Sequence, residues 1–204
     1  MNKINYQKEL DKIIDNLNGG VPKLFLHSCC APCSSYTLEY LSNYFDITVY
    51  YFNPNISPKE EFDKRFAEQK RLIDELPTKH PIKLVPGEYD YNDFLSIAKG
   101  YEDIPEGGER CFRCYRMRLE STAKLAKEQE FDYFCTTLSI SPLKNSQKIN
   151  QIGFEVAEKY GIKWLPSDFK KKEGYKRSIE LSKEYSLYRQ NFCGCIFSKE
   201  KTDE

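Results

Sequence analysis

The 204-residue chain has no surplus of either charge: 31 Lys and Arg offset 31 Asp and Glu. A formal net charge of zero means that no global field draws it to nucleic acid, so any such binding must rest on local patches. No apolar run approaches membrane-spanning length, which excludes a membrane partner of the helix-spanning kind. Residues 1–17 (MNKINYQKELDKIIDNL) alternate charged and apolar residues at helical spacing, without the apolar stretch of a secretion signal. A cytoplasmic protein is the expectation. There is no internal repeat and no low-complexity segment. Histidine is scarce, at His27 and His80 only. Aromatic residues are not: 15 Tyr and 13 Phe supply a sizeable core and exclude a disordered chain. The length suits one well-packed domain, expected over 1–204.

Eight cysteines stand out against this background, and their placement is informative. Cys29, Cys30 and Cys33 form C-C-x-x-C. Cys111 and Cys114 form C-x-x-C, and Cys193 and Cys195 form C-x-C. Only Cys135 stands alone, in the middle of an apolar stretch, as a buried small residue. Thiols at these spacings converge on a metal or pair with each other. Four thiolates from two distant pairs make an iron–sulfur or zinc site. In the cytoplasm, clustered cysteines hold metal or do redox work more often than they staple a fold. A C-x-C disulfide closes a small, strained ring, and strained disulfides are the labile, oxidising ones. Two free surface thiols, or two further metal ligands, are the alternatives for that pair.

The chain reads as alternating strands and helices. Leu10, Ile13, Ile14 and Leu17 mark one face of a first helix. Strands are predicted over Lys23–His27 and residues 47–52, 82–85, 132–136 and 162–165. Helices are predicted over 34–44, 59–76, 91–99, 111–129 and Ser146–Tyr160, the last stopped by Gly161, with a helical stretch from Gly174 running into the cysteine tail. Strands separated by such helices imply βαβ units: an α/β, Rossmann-like, mostly parallel sheet with flanking helices and a cysteine-containing C-terminal extension. Ligands of such sheets gather at the carboxyl ends of the strands. Cys29, Cys30 and Cys33 fall just past the first strand, where a helix is about to start, and Cys111 and Cys114 fall at another helix start. Helix N-termini favour thiolate over thiol, and the two groups can meet above the sheet.

Five segments in this order span nearly the whole chain: HSCCAPCSS from His27, YFNPNISPKEEFDKR from Tyr51, ERCFRCYRMRL from Glu109, FCTTLSISPLKN from Phe134, and FKKKEGYKRSIELSKEYSLYRQNFCGC from Phe169. Together they resemble the cobalamin-independent epoxyqueuosine reductases, the QueH family. The resemblance implies a Rossmann-like fold and reductive removal of the epoxide oxygen of epoxyqueuosine at the wobble position of a tRNA, the last step of queuosine biosynthesis. It implies a [4Fe–4S] cluster on Cys29, Cys30, Cys111 and Cys114, and a redox-active disulfide between Cys193 and Cys195. No cluster role carries over to Cys33, which stays a candidate ligand of a second metal, an additional iron. An electron donor is implied without being identified.

Deoxygenating an epoxide to an alkene takes two electrons and two protons and releases water, which a dithiol can supply. A Lewis-acidic iron is the expected activator of the oxygen, with Tyr115 a candidate proton donor. For the tRNA, Arg110, Arg113, Arg116 and Arg118 surround the second cysteine pair. Lys170, Lys171, Lys172, Lys176 and Arg177 crowd one stretch, with Lys144 and Lys148 as further candidates. Tyr175, Tyr185, Tyr188 and Phe192 are candidates for stacking on anticodon bases. A solvated helix face with ordinary aromatic packing is the plainer reading of both sets. Two rival functions remain. One is a cluster-dependent tRNA thiolase, but the loop from Ser28 to Ser34 lacks the glycines that cradle ATP phosphates. The other is a zinc-stabilised RNA-binding module. His27 abuts the cysteine loop, and a hydrogen-bonded structural histidine is expected there.

Overall fold

The computed structural model describes residues 4–199, with Lys199 described in its backbone only. Residues 1–3 and 200–204 of the expected 1–204 span lie outside the described residues. The elements follow in the order α1 (Tyr6–Asp15), β1 (Lys23–His27), α2 (Ala31–Leu41), β2 (Asp46–Tyr51), α3 (Lys59–Glu75), β3 (Lys83–Pro86), α4 (Tyr91–Ala98) and α5 (Glu109–Glu128). Then come β4 (Tyr133–Thr136), a 3-10 turn (Thr137–Ile140), α6 (Ser146–Tyr160), β5 (Lys163–Trp164), α7 (Gly174–Glu184) and the short α8 (Ile196–Lys199). The five strands form one sheet in the order β3-β2-β1-β4-β5, and every pairing is parallel. The α/β, Rossmann-like expectation holds.

The sequence explains this order of layers. Leu24, Phe25, Leu26 and His27 of β1 are all fully buried, as a central strand covered on both faces requires. Each such Leu or Phe contributes about 1.5–3 kcal/mol over its exposed state. Helix α5 packs on β1, β4 and α6, while α2 packs against α3 and α7. The edge strand β3 is less buried and ends at Pro86, where the missing N–H breaks no inner pairing. Helix α6 stops at Gly161, which takes φ +65, a conformation that glycine adopts at little cost.

The strand order fixes where a ligand site can form. Successive strands run from β1 through β2 to β3 on one side and through β4 to β5 on the other. The topological switch point therefore lies between the carboxyl ends of β1 and β4, whose last paired residues are His27 and Thr136. The cysteine loop leaves β1 there and the 3-10 turn leaves β4 beside it. One boundary differs from expectation with a consequence for the site. Helix α2 starts at Ala31, three residues early, with extended Cys30 as its cap and a proline in its first turn. Proline is tolerated there because that N–H has no intrahelical partner anyway. Cys33 thus sits inside the first turn of α2, on the same helix end as Cys30.

Candidate metal centre

The loop after β1 is braced before any ligand is considered. Ser28 Oγ donates to Gln69 Oε1 of α3 at 2.7 Å, and Ser34 Oγ donates to the Cys30 carbonyl at 2.9 Å. The Cys29 N–H points at Thr137 Oγ1 of the neighbouring turn, 3.4 Å away. These ties gather three sulfurs: Cys29, Cys30 and Cys33 place their Sγ atoms within 4.8 Å of one another, with Cys29 and Cys30 3.8 Å apart. Bonds of about 2.3 Å to one tetrahedral metal put sulfurs about 3.8 Å apart, so this group can hold a metal. Cys33 joins Cys29 and Cys30 rather than standing apart from them.

Their protonation follows from crowding. Hydrogen bonds from Cys30 and Cys33 hold Cys29 well below the usual thiol range, against the effect of burial. Sharing with Cys29 pushes Cys30 up to about 12, and the same interaction raises Cys33. One negative charge is therefore shared among three sulfurs. A bound cation inverts that outcome by deprotonating its thiol ligands.

The second pair rides on α5. Its start is set by Gly108, and the Gly107 N–H donates to Cys111 Sγ at 3.3 Å. Buried Arg110 is a strut: its Nη1 donates to the carbonyls of Tyr101, Glu102 and Ile104 at 3.1, 2.5 and 2.6 Å, shaping the loop ahead of the helix. Burial pushes Cys114 up to about 11, opposed by Arg118. The tail cysteines reach the same place. Cys195 is buried with Phe94, Ala98 and Cys114, and burial pushes it up to about 12. Gly194 between them takes φ +100, and a Cβ there would come within 2.9 Å of Ile56 Cγ1 and 3.0 Å of Arg65 Nη1. The middle residue of C-x-C therefore has to be glycine. Its carbonyl accepts from the Ser57 N–H at 2.9 Å, and Arg65 Nη1 donates to the Cys193 carbonyl at 3.2 Å. All eight thiols are free. Cys135 is fully buried in the core, as expected.

Two adjoining cavities unite these groups. The larger, about 440 Å³, has Cys29, Cys30, Cys33 and Cys193 in its wall. The smaller, about 20 Å³, lies among Cys111, Cys114, Cys193 and Cys195. Arg118, Lys144 and Glu106 line both. Lys144 Nζ lies 3.7 Å from Cys193 Sγ. Burial works against its charge, but the surrounding Cys193, Tyr115, Cys29 and Cys33 raise it above the ordinary lysine range. Tyr115 is nearly fully buried and lines the smaller cavity, where burial raises its phenol. His27 is structural: Nε2–H donates to the Phe52 carbonyl at 3.1 Å and Nδ1 accepts from Thr136 Oγ1 at 2.8 Å. Burial, then Arg118, pushes it down to about 3, so it is neutral.

The basic candidates are mostly engaged within the protein. Lys170 Nζ donates to the Ser139 carbonyl at 2.8 Å and pairs with Asp168 at 3.1 Å, pinning the turn after β4. Lys172 pairs with Asp11, Lys176 with Glu173, Arg177 with Glu39, Arg113 with Glu109 and Arg116 with Glu155. Lys171 makes no ion pair among the described residues. Lys148 lies over the Phe112 ring at 5.3 Å. The Tyr188 ring is covered by Lys64 at 3.5 Å, and Tyr185 packs on the core. Tyr175 and Phe192 line the larger cavity, joined by Arg65 and Arg189. Asn53, Thr137 and the inward role of Arg118 carry no signal in the sequence except that Arg118 lies one helical turn beyond Cys114.

A parallel α/β sheet carries at its switch point a thiol-lined, cation-flanked pocket whose Cys29, Cys30 and Cys33 could hold a metal ion. The chain matches the model of the family described as "Epoxyqueuosine reductase QueH" over residues 24–201. It is 47% identical to the epoxyqueuosine reductase QueH of Staphylococcus epidermidis over 98% of this chain and 86% of that protein. It is 44% identical to that of Streptococcus pyogenes, over 96% and 78% of the two chains. With that of Thermotoga maritima it shares 36% identity over 86% and 89%. The chain belongs to the epoxyqueuosine reductase QueH family, a family of oxidoreductases. No helix among the described residues is long and apolar enough to cross a membrane.

Proposed function

We propose that this chain, acting as one domain over 1–204, reduces epoxyqueuosine at the wobble position of tRNA to queuosine. One observation carries the reading: in a chain of this family, seven of the eight cysteines line two adjoining cavities at the switch point. The donor set is all sulfur, which suits iron–sulfur or zinc rather than hard cations. The buried, partly unpartnered guanidinium of Arg118 beside it calls for an anion of the thiolate kind. Cys29, Cys30, Cys111 and Cys114 would hold a [4Fe–4S] cluster, and Cys33 an additional iron. Such a cluster passes electrons one at a time.

The chain's own residues account for the rest. Cys193 and Cys195 as a dithiol give two electrons and two protons: the two S–H bonds break and a disulfide forms, both C–O bonds of the epoxide break as a carbon–carbon double bond forms, and the oxygen takes the two protons and leaves as water. An electron donor then restores the dithiol. Lys144, with its charge held beside Cys193, lies where the departing oxygen needs a positive partner. Arg189 supplies phosphate attraction at the larger cavity, and Tyr175 supplies ring surface for a base.

Anaerobic purification tests this reading against the zinc module. The expected result is a brown protein with broad visible absorbance and about four irons and four sulfides per chain, plus any iron on Cys33. A colourless protein with zinc at the cysteines contradicts it.

A further inference from the structure

We propose that Arg118 is the fixed counter-charge of the thiolate centre and sets its reduction potential. The inference rests on the metal reading above and adds to it a positioning residue that acts on the cysteines without being a ligand.

The argument begins with a charge that has no anion. Arg118 is 1% exposed. Its Nε donates to the Cys114 carbonyl at 3.3 Å and its Nη1 to Asn53 Oδ1 at 3.3 Å. Both acceptors are neutral and both bonds are long. Its Nη2 is buried and has no partner. Two arginines nearby have carboxylate partners, Arg65 with Glu61 at 2.6 Å and Arg116 with Glu155, whereas buried Arg110 spends its Nη1 on three backbone carbonyls of the loop before α5. No carboxylate pairs with Arg118 among the described residues. A guanidinium stays protonated in proteins and cannot escape burial by losing its proton, as a lysine can. An isolated buried charge is costly unless an opposite charge compensates it.

The groups that can supply that charge are the sulfurs. Cys114, Cys193 and Cys29 are the acids whose charge bears most on Arg118. Its position between them is built in. Arg118 follows Cys114 by one helical turn on α5, so backbone geometry ties it to the second cysteine pair. Asn53, its other partner, donates through Nδ2 to the Ser28 carbonyl at 2.8 Å, the residue immediately before Cys29. The guanidinium therefore bridges the segments that carry the two cysteine pairs.

A permanent positive charge at this place favours whichever state of the centre is more negative. The reduced state carries one more electron, so Arg118 raises the reduction potential and eases electron entry. Low local dielectric keeps the effect from being screened.

The test uses anaerobically purified, metal-loaded protein and a redox titration followed by visible absorbance and electron paramagnetic resonance. In Arg118→Gln the reduced-to-oxidised ratio at a fixed potential should fall at least tenfold, a downward midpoint shift of about 60 mV for one electron. Arg118→Lys should stay close to the parent where the facing thiolates hold its ammonium charged. Should Arg118→Gln fail to fold, Asn53→Asp sets a carboxylate on the guanidinium and should lower the midpoint in the same direction. A loaded Arg118→Gln or Asn53→Asp protein with the parent's midpoint overturns the inference alone. A parent with no redox-active metal overturns the metal reading and this inference with it.

Discussion

Replacing any one of Cys29, Cys30, Cys111 or Cys114 with alanine is expected to strip most of the iron and to abolish turnover. The loss should exceed about 100-fold, because partners one shell further out already cost 10–100-fold when removed. Geometry makes the four unequal in a second respect. Cys29 carries the charge shared by its loop, with Cys30 and Cys33 donating to it. Its removal takes away one sulfur of the loop group and leaves the positive charges of Arg118 and Lys144 at the cavity less balanced. Cys29→Ala should therefore also lower the thermal midpoint of the anaerobic protein, since metal binding is coupled to folding. Cys33→Ala is the informative control: the cluster spectrum should persist while about one iron per chain is lost. Iron and sulfide analysis with visible spectra reads all five variants. Full iron in all four single-ligand variants sinks the ligand assignment.

The second large effect concerns the tail. Cys193→Ser and Cys195→Ser should each keep the visible spectrum and still bind modified tRNA, yet fail at multiple turnover. The two sulfurs stand in different surroundings, which suggests a division of labour. Cys193 opens onto the larger cavity next to Lys144, whereas Cys195 is buried against Phe94 and Cys114. Cys193 is then the sulfur that meets the reactant, and Cys195 closes the disulfide. Alkylation mapping after one turnover of the parent should find the pair oxidised. Loss of about one iron per chain in both variants, with no disulfide ever trapped, would mean that the tail binds a metal instead. Variants that turn over like the parent leave the C-G-C a structural hairpin, a role that Gly194 at φ +100 already permits.

Much of the fold was legible because its signals are local. The β-branched and aromatic run of β2 and the glycine stop of α6 each report on a few neighbouring residues, whereas α2 starts at Ala31, three residues before its predicted start. Cysteine spacing was legible for the same reason. The electrostatic frame of the site was not. Lys172 finds Asp11, 161 positions away, and Arg177 finds Glu39, 138 positions away. A basic run in sequence thus becomes a set of internal ion pairs and struts, with Lys170 holding the turn after β4. Arg118 reads as one more surface cation until packing of α5 on the sheet buries it. Cys33 belongs with Cys29 and Cys30 already in the C-C-x-x-C spacing, and the early start of α2 turns all three sulfurs to one side.

The central claim is tested most directly by one assay. Anaerobically purified, iron-loaded protein is incubated with a reductant and tRNA carrying epoxyqueuosine, and the released nucleosides are weighed by mass spectrometry. The account predicts conversion to a nucleoside lighter by one oxygen atom, with the tRNA otherwise unchanged and the Cys193→Ser protein failing to turn over. Epoxyqueuosine recovered intact from protein that holds its full iron and sulfide and binds the tRNA would contradict it.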